Sequence, residues 1–138
     1  VAKFAATDFT VTVNGTSLST SLTSVDLTIS ADDKDVSTFG VTYRQHVGGL
    51  KQGQLKLNFL QDFAAGAGAA VESTLYPLLG TIATVVITPT SGTVSATNPS
   101  YTVPCLVTQV QPISASVGDV ATQQVTWMSS GTITKATS

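Results

Sequence analysis

Strict alternation of apolar and polar residues predicts a mainly β fold: an antiparallel sandwich or partly closed barrel of about eight strands, with one short flanking helix and a long hairpin loop. Three observations carry this. Residues 8–13 (DFTVTV), 22–30 (LTSVDLTIS) and 54–61 (QLKLNFLQ) all alternate with period two. Ser and Thr make up 38 of the 138 residues, and β-branched Thr suits strands. Helical spacing of apolar residues occurs in only one stretch, residues 69–79.

In the first strand Phe9, Val11 and Val13 share a face. Asn14-Gly15 follows, the dipeptide that favours a type I′ hairpin turn. Asn14-Gly15-Thr16 is also a glycosylation sequon, but the turn accounts for it. In the second strand Val25, Leu27 and Ile29 face a core and Ser24, Asp26, Thr28 and Ser30 face outward. Its partner puts Leu55, Leu57 and Phe59 inward, with Gln54, Lys56, Asn58 and Leu60 on the other side.

Between these strands lies a loop, residues 31–53, far longer than the usual ~2–5 residues of a hairpin connection. Val41–Val47 could extend as a strand within it. A break is expected at 63–68. The helix would set Val71, Leu75, Leu78 and Leu79 on one face, with Glu72 in its first turn, Pro77 disturbing the last and Gly80 ending it. Strands are expected at 81–89, at 101–111 with Pro104 marking an edge or bulge, and at 121–128 with Val125 and Trp127 inward. A turn at 112–119 runs through Pro112 and Gly118-Asp119. The tail, 129–138, reads as loosely held, with a possible short strand at 132–134.

A chain of this length is expected to form one domain, residues 1–138. The single cysteine, Cys105, rules out an intrachain disulfide framework and reads as a buried thiol. Lys3 is followed by no apolar stretch, so the sequence predicts no signal peptide, or one removed before Val1. No apolar run approaches ~18 residues, so no membrane insertion by a helix is expected.

Only 10% of residues are charged, and eight of the fourteen charges lie between Asp32 and Asp62. A surface of Ser, Thr, Asn and Gln is cheap to desolvate and suits a subunit that packs against its own copies; a Thr-rich extracellular β-domain fits equally well. A net charge of −2 argues against tight nucleic-acid binding.

Catalytic chemistry finds no support. His46 is the sole histidine, and no Gly-x-Ser-x-Gly elbow is present. Zinc needs clustered Cys and His, of which there is one each. Asp32, Asp33 and Asp35 could gather a hard cation, but they lack the Gly and terminal Glu of an EF-hand loop and read better as a solvated turn or as salt-bridge partners. No enzyme activity, metal site or cofactor is expected.

The order of Gly, apolar and turn positions carries one resemblance. Thr38-Phe39-Gly40, the run Gly49-Leu50-Lys51 with Gly53, Leu55, Leu57 and Phe59, and Gln61-Asp62-Phe63-Ala64-Ala65-Gly66 together resemble the major tail proteins of long-tailed phages. So do Leu75 with Pro77-Leu78-Leu79-Gly80-Thr81, and Ser116-Val117-Gly118-Asp119 leading to Val125-Thr126-Trp127. The resemblance spans roughly residues 8–128. It implies a tail tube subunit of the virion, made in the host bacterial cytoplasm. Six copies would form a ring, and rings would stack into a hollow tube. The partners would be further copies, the tape-measure protein, other tail proteins, and DNA in transient passage.

On that view the loop carries inter-ring or inter-subunit contacts through Asp32, Asp33, Asp35, Phe39, Arg44, His46 and Lys51. The channel face carries Ser24, Asp26, Thr28, Gln54, Lys56 and Asn58, with Asp26 able to neutralise Lys56. The alternatives are a tail-terminator or baseplate ring protein, which would close a ring without stacking, and a cell-surface or carbohydrate-binding sandwich using Trp127 and Tyr101.

Overall fold

The computed structural model describes residues 9–61, 71–90 and 92–137. The expected break at 63–68, the helix start at Ala69 and Ala70, and the Glu72 side chain lie outside the described residues. The elements are β1 (Thr10–Val13), β2 (Thr16–Ser17), β3 (Leu22–Asp35), β4 (His46–Leu60), α1 (Val71–Leu75), β5 (Ile82–Thr88), β6 (Ser100–Leu106), β7 (Thr122–Ser129) and β8 (Thr134–Ala136). They form one antiparallel sheet in the order β2-β1-β5-β6-β7-β4-β3, with β8 also paired to β6.

The sheet is open, and it hinges at β6. There, only Cys105↔Ser129 and Leu106↔Met128 join β6 to β7, while Ser100–Thr102 pair with β8 instead. One half is therefore β2-β1-β5-β6-β8 and the other β7-β4-β3. Their inner faces share one core: Val11, Val13, Val85 and Val103 from the first half, Leu55, Leu57, Phe59, Val125 and Trp127 from the second. This is the expected sandwich, with α1 adding Val71 and Leu75 to the core.

Local chemistry explains most boundaries. Asn14 (φ 50°) and Gly15 (φ 86°) both adopt positive φ, the geometry a type I′ turn demands. The Asn14 side chain then accepts a hydrogen bond from the Thr84 amide at 2.8 Å, extending the β1–β5 pairing by one step. α1 is shorter than expected. Pro77 cannot donate an α-helical hydrogen bond, so Tyr76–Leu78 tighten into a 3-10 turn. Leu79 leaves in an extended conformation and is exposed rather than joining Val71 and Leu75.

Three other expectations change. The 101–111 strand stops at Leu106, and residues 107–121 run beside β7 without strand pairing. Pro104 marks neither an outer edge nor a bulge but the hinge. Its carbonyl accepts from the Ser130 amide at 2.7 Å, in the gap between β8 and β7. In an antiparallel strand a residue's nitrogen points the same way as its carbonyl, so the missing N–H costs no ladder bond there. The tail is pinned: its short strand is 134–136, not 132–134, and Ile133 packs on the core.

Candidate functional site

The long hairpin is the largest departure from the body. Residues 31–53 are not a free connection. The β3–β4 ladder runs through Ala31↔Lys51 and Asp33↔Gly48 to Asp35↔His46, leaving 36–45 as the tip. The possible strand at 41–47 contributes only His46 and Val47 to β4. A register shift opposite Asp32 gives β4 an extra residue, where Gly49 lets the two backbones lie close. A Cβ on Gly49 would stand 2.9 Å from that of Asp32.

Beyond Ile29 and Gly53 this hairpin is exposed on both faces, so it forms an arm rather than part of a layer. Its apolar side chains have no cover among the described residues. Phe39, Tyr43 and Leu50 are more than four-fifths exposed, and Val36, Val41 and Val47 between two-fifths and about half.

All seven residues expected as contacts lie on this arm and are exposed. Their charges, however, partly answer one another within the chain. Arg44 donates to Asp35 at 3.0 Å, and His46 Nδ1 meets Asp33 at 2.7 Å. The Ser37 hydroxyl and amide hold the Asp35 carboxyl below the usual carboxylate range, helped by Arg44. The Ser37 amide donates to Asp35 at 2.8 Å, the Gln45 amide donates to the Ser37 hydroxyl at 2.7 Å, and the Val36 amide donates to the Gln45 carbonyl at 2.8 Å. The tip is thus closed by its own polar network. Asp32 and Lys51 form no ion pair among the described residues. Asp33 and Asp35 project from one side of β3 and Asp32 from the other, so the three carboxylates do not converge.

The six residues expected on a channel face do come together. They form three directly opposed pairs, Ser24↔Asn58, Asp26↔Lys56 and Thr28↔Gln54, on the side away from the core. β7 continues the rows with Gln124, Thr126 and Met128. Asp26 faces Lys56 in register, but among the described residues no ion pair closes between them. The result is a surface three strands wide that is polar apart from Met128.

Sequence reasoning missed two features. Gln123 is wholly buried, and its side chain accepts from the Gln111 amide at 3.0 Å and donates to Gln61 at 3.4 Å. Gln124's amide donates to the Gln111 side chain, and Trp127 Nε1 donates to the Gln109 carbonyl at 3.0 Å. Glutamines thus tie 107–121 to the edge of β7, where a strand would otherwise sit. Alternation placed residues 123 and 125 on one face, so Gln123 was legible as inward; its partners were not. The second is an apolar cavity of about 460 Å³ at the mouth of the sandwich.

The carbohydrate-binding alternative loses its main contact. Trp127 is fully buried with its N–H satisfied, so it is no sugar platform. Cys105 is buried, and desolvation pushes its thiol up to about 11, as suits a structural residue.

The molecule is thus an open β-sandwich with a projecting hairpin arm. No family model and no curated protein matches the sequence. Among solved structures, a chain in the virion of a native gene transfer agent particle superposes with a TM-score of 0.72 at 13% identity, over 94% of this chain and 95% of that one. A chain in the extended sheath–tube complex of the extracellular contractile injection system PVC gives 0.66 at 15% identity, over 95% and 89%. A chain in the tail of the empty gene transfer agent particle, which has C6 symmetry, gives 0.63 at 14% identity, over 83% and 81%. At such identities the likeness is one of fold, and it bears out the expected sandwich with helix and long hairpin.

Proposed function

We propose that this chain is a structural virion protein, the major subunit of a tail tube. Its copies form six-membered rings that stack into a hollow cylinder, which holds a tape-measure protein during assembly and passes DNA afterwards. The observation that carries this reading is the arm. A hairpin that leaves the body with apolar side chains exposed on both faces is a liability in a monomer and an interface in a polymer. The fold shared with tail and tube chains supports it.

The chemistry of the remaining surface fits. β3 is a fourteen-residue strand at the open end of the sheet. Ring closure pairs such edges, as barrel closure does. The face bearing Ser24, Asp26, Thr28, Gln54, Lys56 and Asn58 then lines the channel. It offers one cation, opposed by one carboxylate, so phosphate has little to hold. No step calls for an enzyme or cofactor.

Negative-stain electron microscopy at rising concentration, beside size-exclusion chromatography, tests the proposal. Uniform hollow tubes with regular striations are expected. Closed rings that never stack would transfer the chain to a terminator or baseplate role. A monomer at every concentration would overturn the assembly reading.

A further inference from the structure

The apolar cavity sits where the two halves of the sandwich fail to meet. Val25, Leu27 and Ile29 of β3 form one wall; Phe9, Ile87 and Tyr101 form the other. Ile87 and Tyr101 are directly opposed across β5–β6, and Val25 and Leu27 pack only partly on the core, so the slot is built by the fold itself. Water gains few hydrogen bonds in such a space. At about 460 Å³ it admits an aromatic ring with an aliphatic neighbour.

The same molecule displays a group of that kind. Phe39 is fully exposed at the arm tip, flanked by exposed Val36, Val41 and Tyr43. It cannot fill its own cavity. Six residues of paired ladder separate Ile29, in the cavity wall, from Asp35 at the base of the tip, about 20 Å at ~3.3 Å per residue. A continuous two-stranded ladder does not fold back on itself over that distance. Knob and slot lie on different parts of one surface, which is the requirement for head-to-tail association.

We infer that the arm tip of one copy seats Phe39 in the apolar slot between β3 and β5–β6 of a second copy. This rests on the self-assembly reading and names the contact that carries it. Docking buries the ring and closes the open mouth of the receiving sandwich in one step.

Two variants that each add one cysteine, Thr38→Cys beside a retained Phe39 at the tip and Leu27→Cys in the slot wall, mixed in equal amounts and mildly oxidised, test the inference. Only a contact between copies can join them, and the buried native Cys105 stays silent. A disulfide-linked dimer of the two variants is expected, about tenfold above a mixture of Thr38→Cys with Ser24→Cys on the outward face, because docking raises the local thiol concentration. If Leu27→Cys folds poorly, Tyr101→Cys replaces it on the opposite wall. Electron microscopy of the wild type separates the two readings. Tubes without the cross-link overturn the docking and leave the tube intact. The cross-link without tubes upholds the docking and removes the tube. Neither one overturns both.

Discussion

Within an apolar core, Gln123 and Cys105 are the residues whose polar chemistry is tuned by burial. Gln123 stands in the core because its carboxamide serves the Gln111 amide and Gln61. Gln123→Leu keeps the volume but removes that acceptor, and urea unfolding should show a loss of ~1 kcal/mol. Cys105 has its thiol raised from 9.0 to about 11 by desolvation. A raised folded pKa contributes stability below the unfolded value, lost as pH rises from 9 toward 11. Cys105→Ala should flatten that alkaline loss, and a thiol reagent should label the wild type only after denaturation. Asp35 runs the other way. Its carboxyl is held below 3.8 by Ser37 and Arg44, so the tip gains order above that pH and loses it as pH falls through the lowered value. An NMR titration of the Ser37 amide should report a midpoint below 3.8, and Asp35→Asn should abolish it.

At the scale of elements, the body and the arm obey different rules. The body resists truncation: α1 touches the core through Val71 and Leu75, both fully buried. Leu75→Ala should therefore cost ~2–5 kcal/mol in thermal or urea unfolding. Gly53 sits where β4 leaves the body, and any Cβ there would collide with Ile133. Gly53→Ala meets only the terminal methyl of Ile133, which must turn aside at a cost of ~1 kcal/mol while the tail stays in place. The arm tolerates change in the monomer. Arg44→Glu breaks an exposed, solvent-screened pair that adds little to the fold and sets a second carboxylate beside Asp35. Its melting temperature should stay near wild type while tube formation fails. Tubes of normal length from this variant would remove the tip from the interface.

The whole molecule combines an apolar arm, an open apolar mouth, a long strand with one open edge and a nearly neutral face. Each is a hazard for a monomer in water, and head-to-tail assembly relieves the first three together. The neutral face belongs to the same scale. Lys56→Gln should leave tubes intact and lower any salt-sensitive retention of DNA, a difference readable by filter binding at low and moderate salt.

Period-two alternation was enough to identify β1, the body portions of β3 and β4, β7, and the inward set Leu55, Leu57, Phe59, Val125 and Trp127, because a half-buried strand can present only one apolar face. Asn14-Gly15 announced its turn, since few residues accept positive φ at both positions. The opposed rows of Ser24, Asp26 and Thr28 against Asn58, Lys56 and Gln54 also followed from alternation once the strands were paired. Other features depended on contacts remote in sequence. Charge and glycine content made residues 31–53 read as a loop, although a bulge at Gly49 lets the ladder continue to Asp35 and His46. The hinge at Pro104, the pairing of Thr134–Ala136 with β6, and the slot walled by Leu27 and Tyr101 join segments more than twenty residues apart. Local periodicity carries no information about which strand edge a tail will meet or where two half-sheets part; packing decides both.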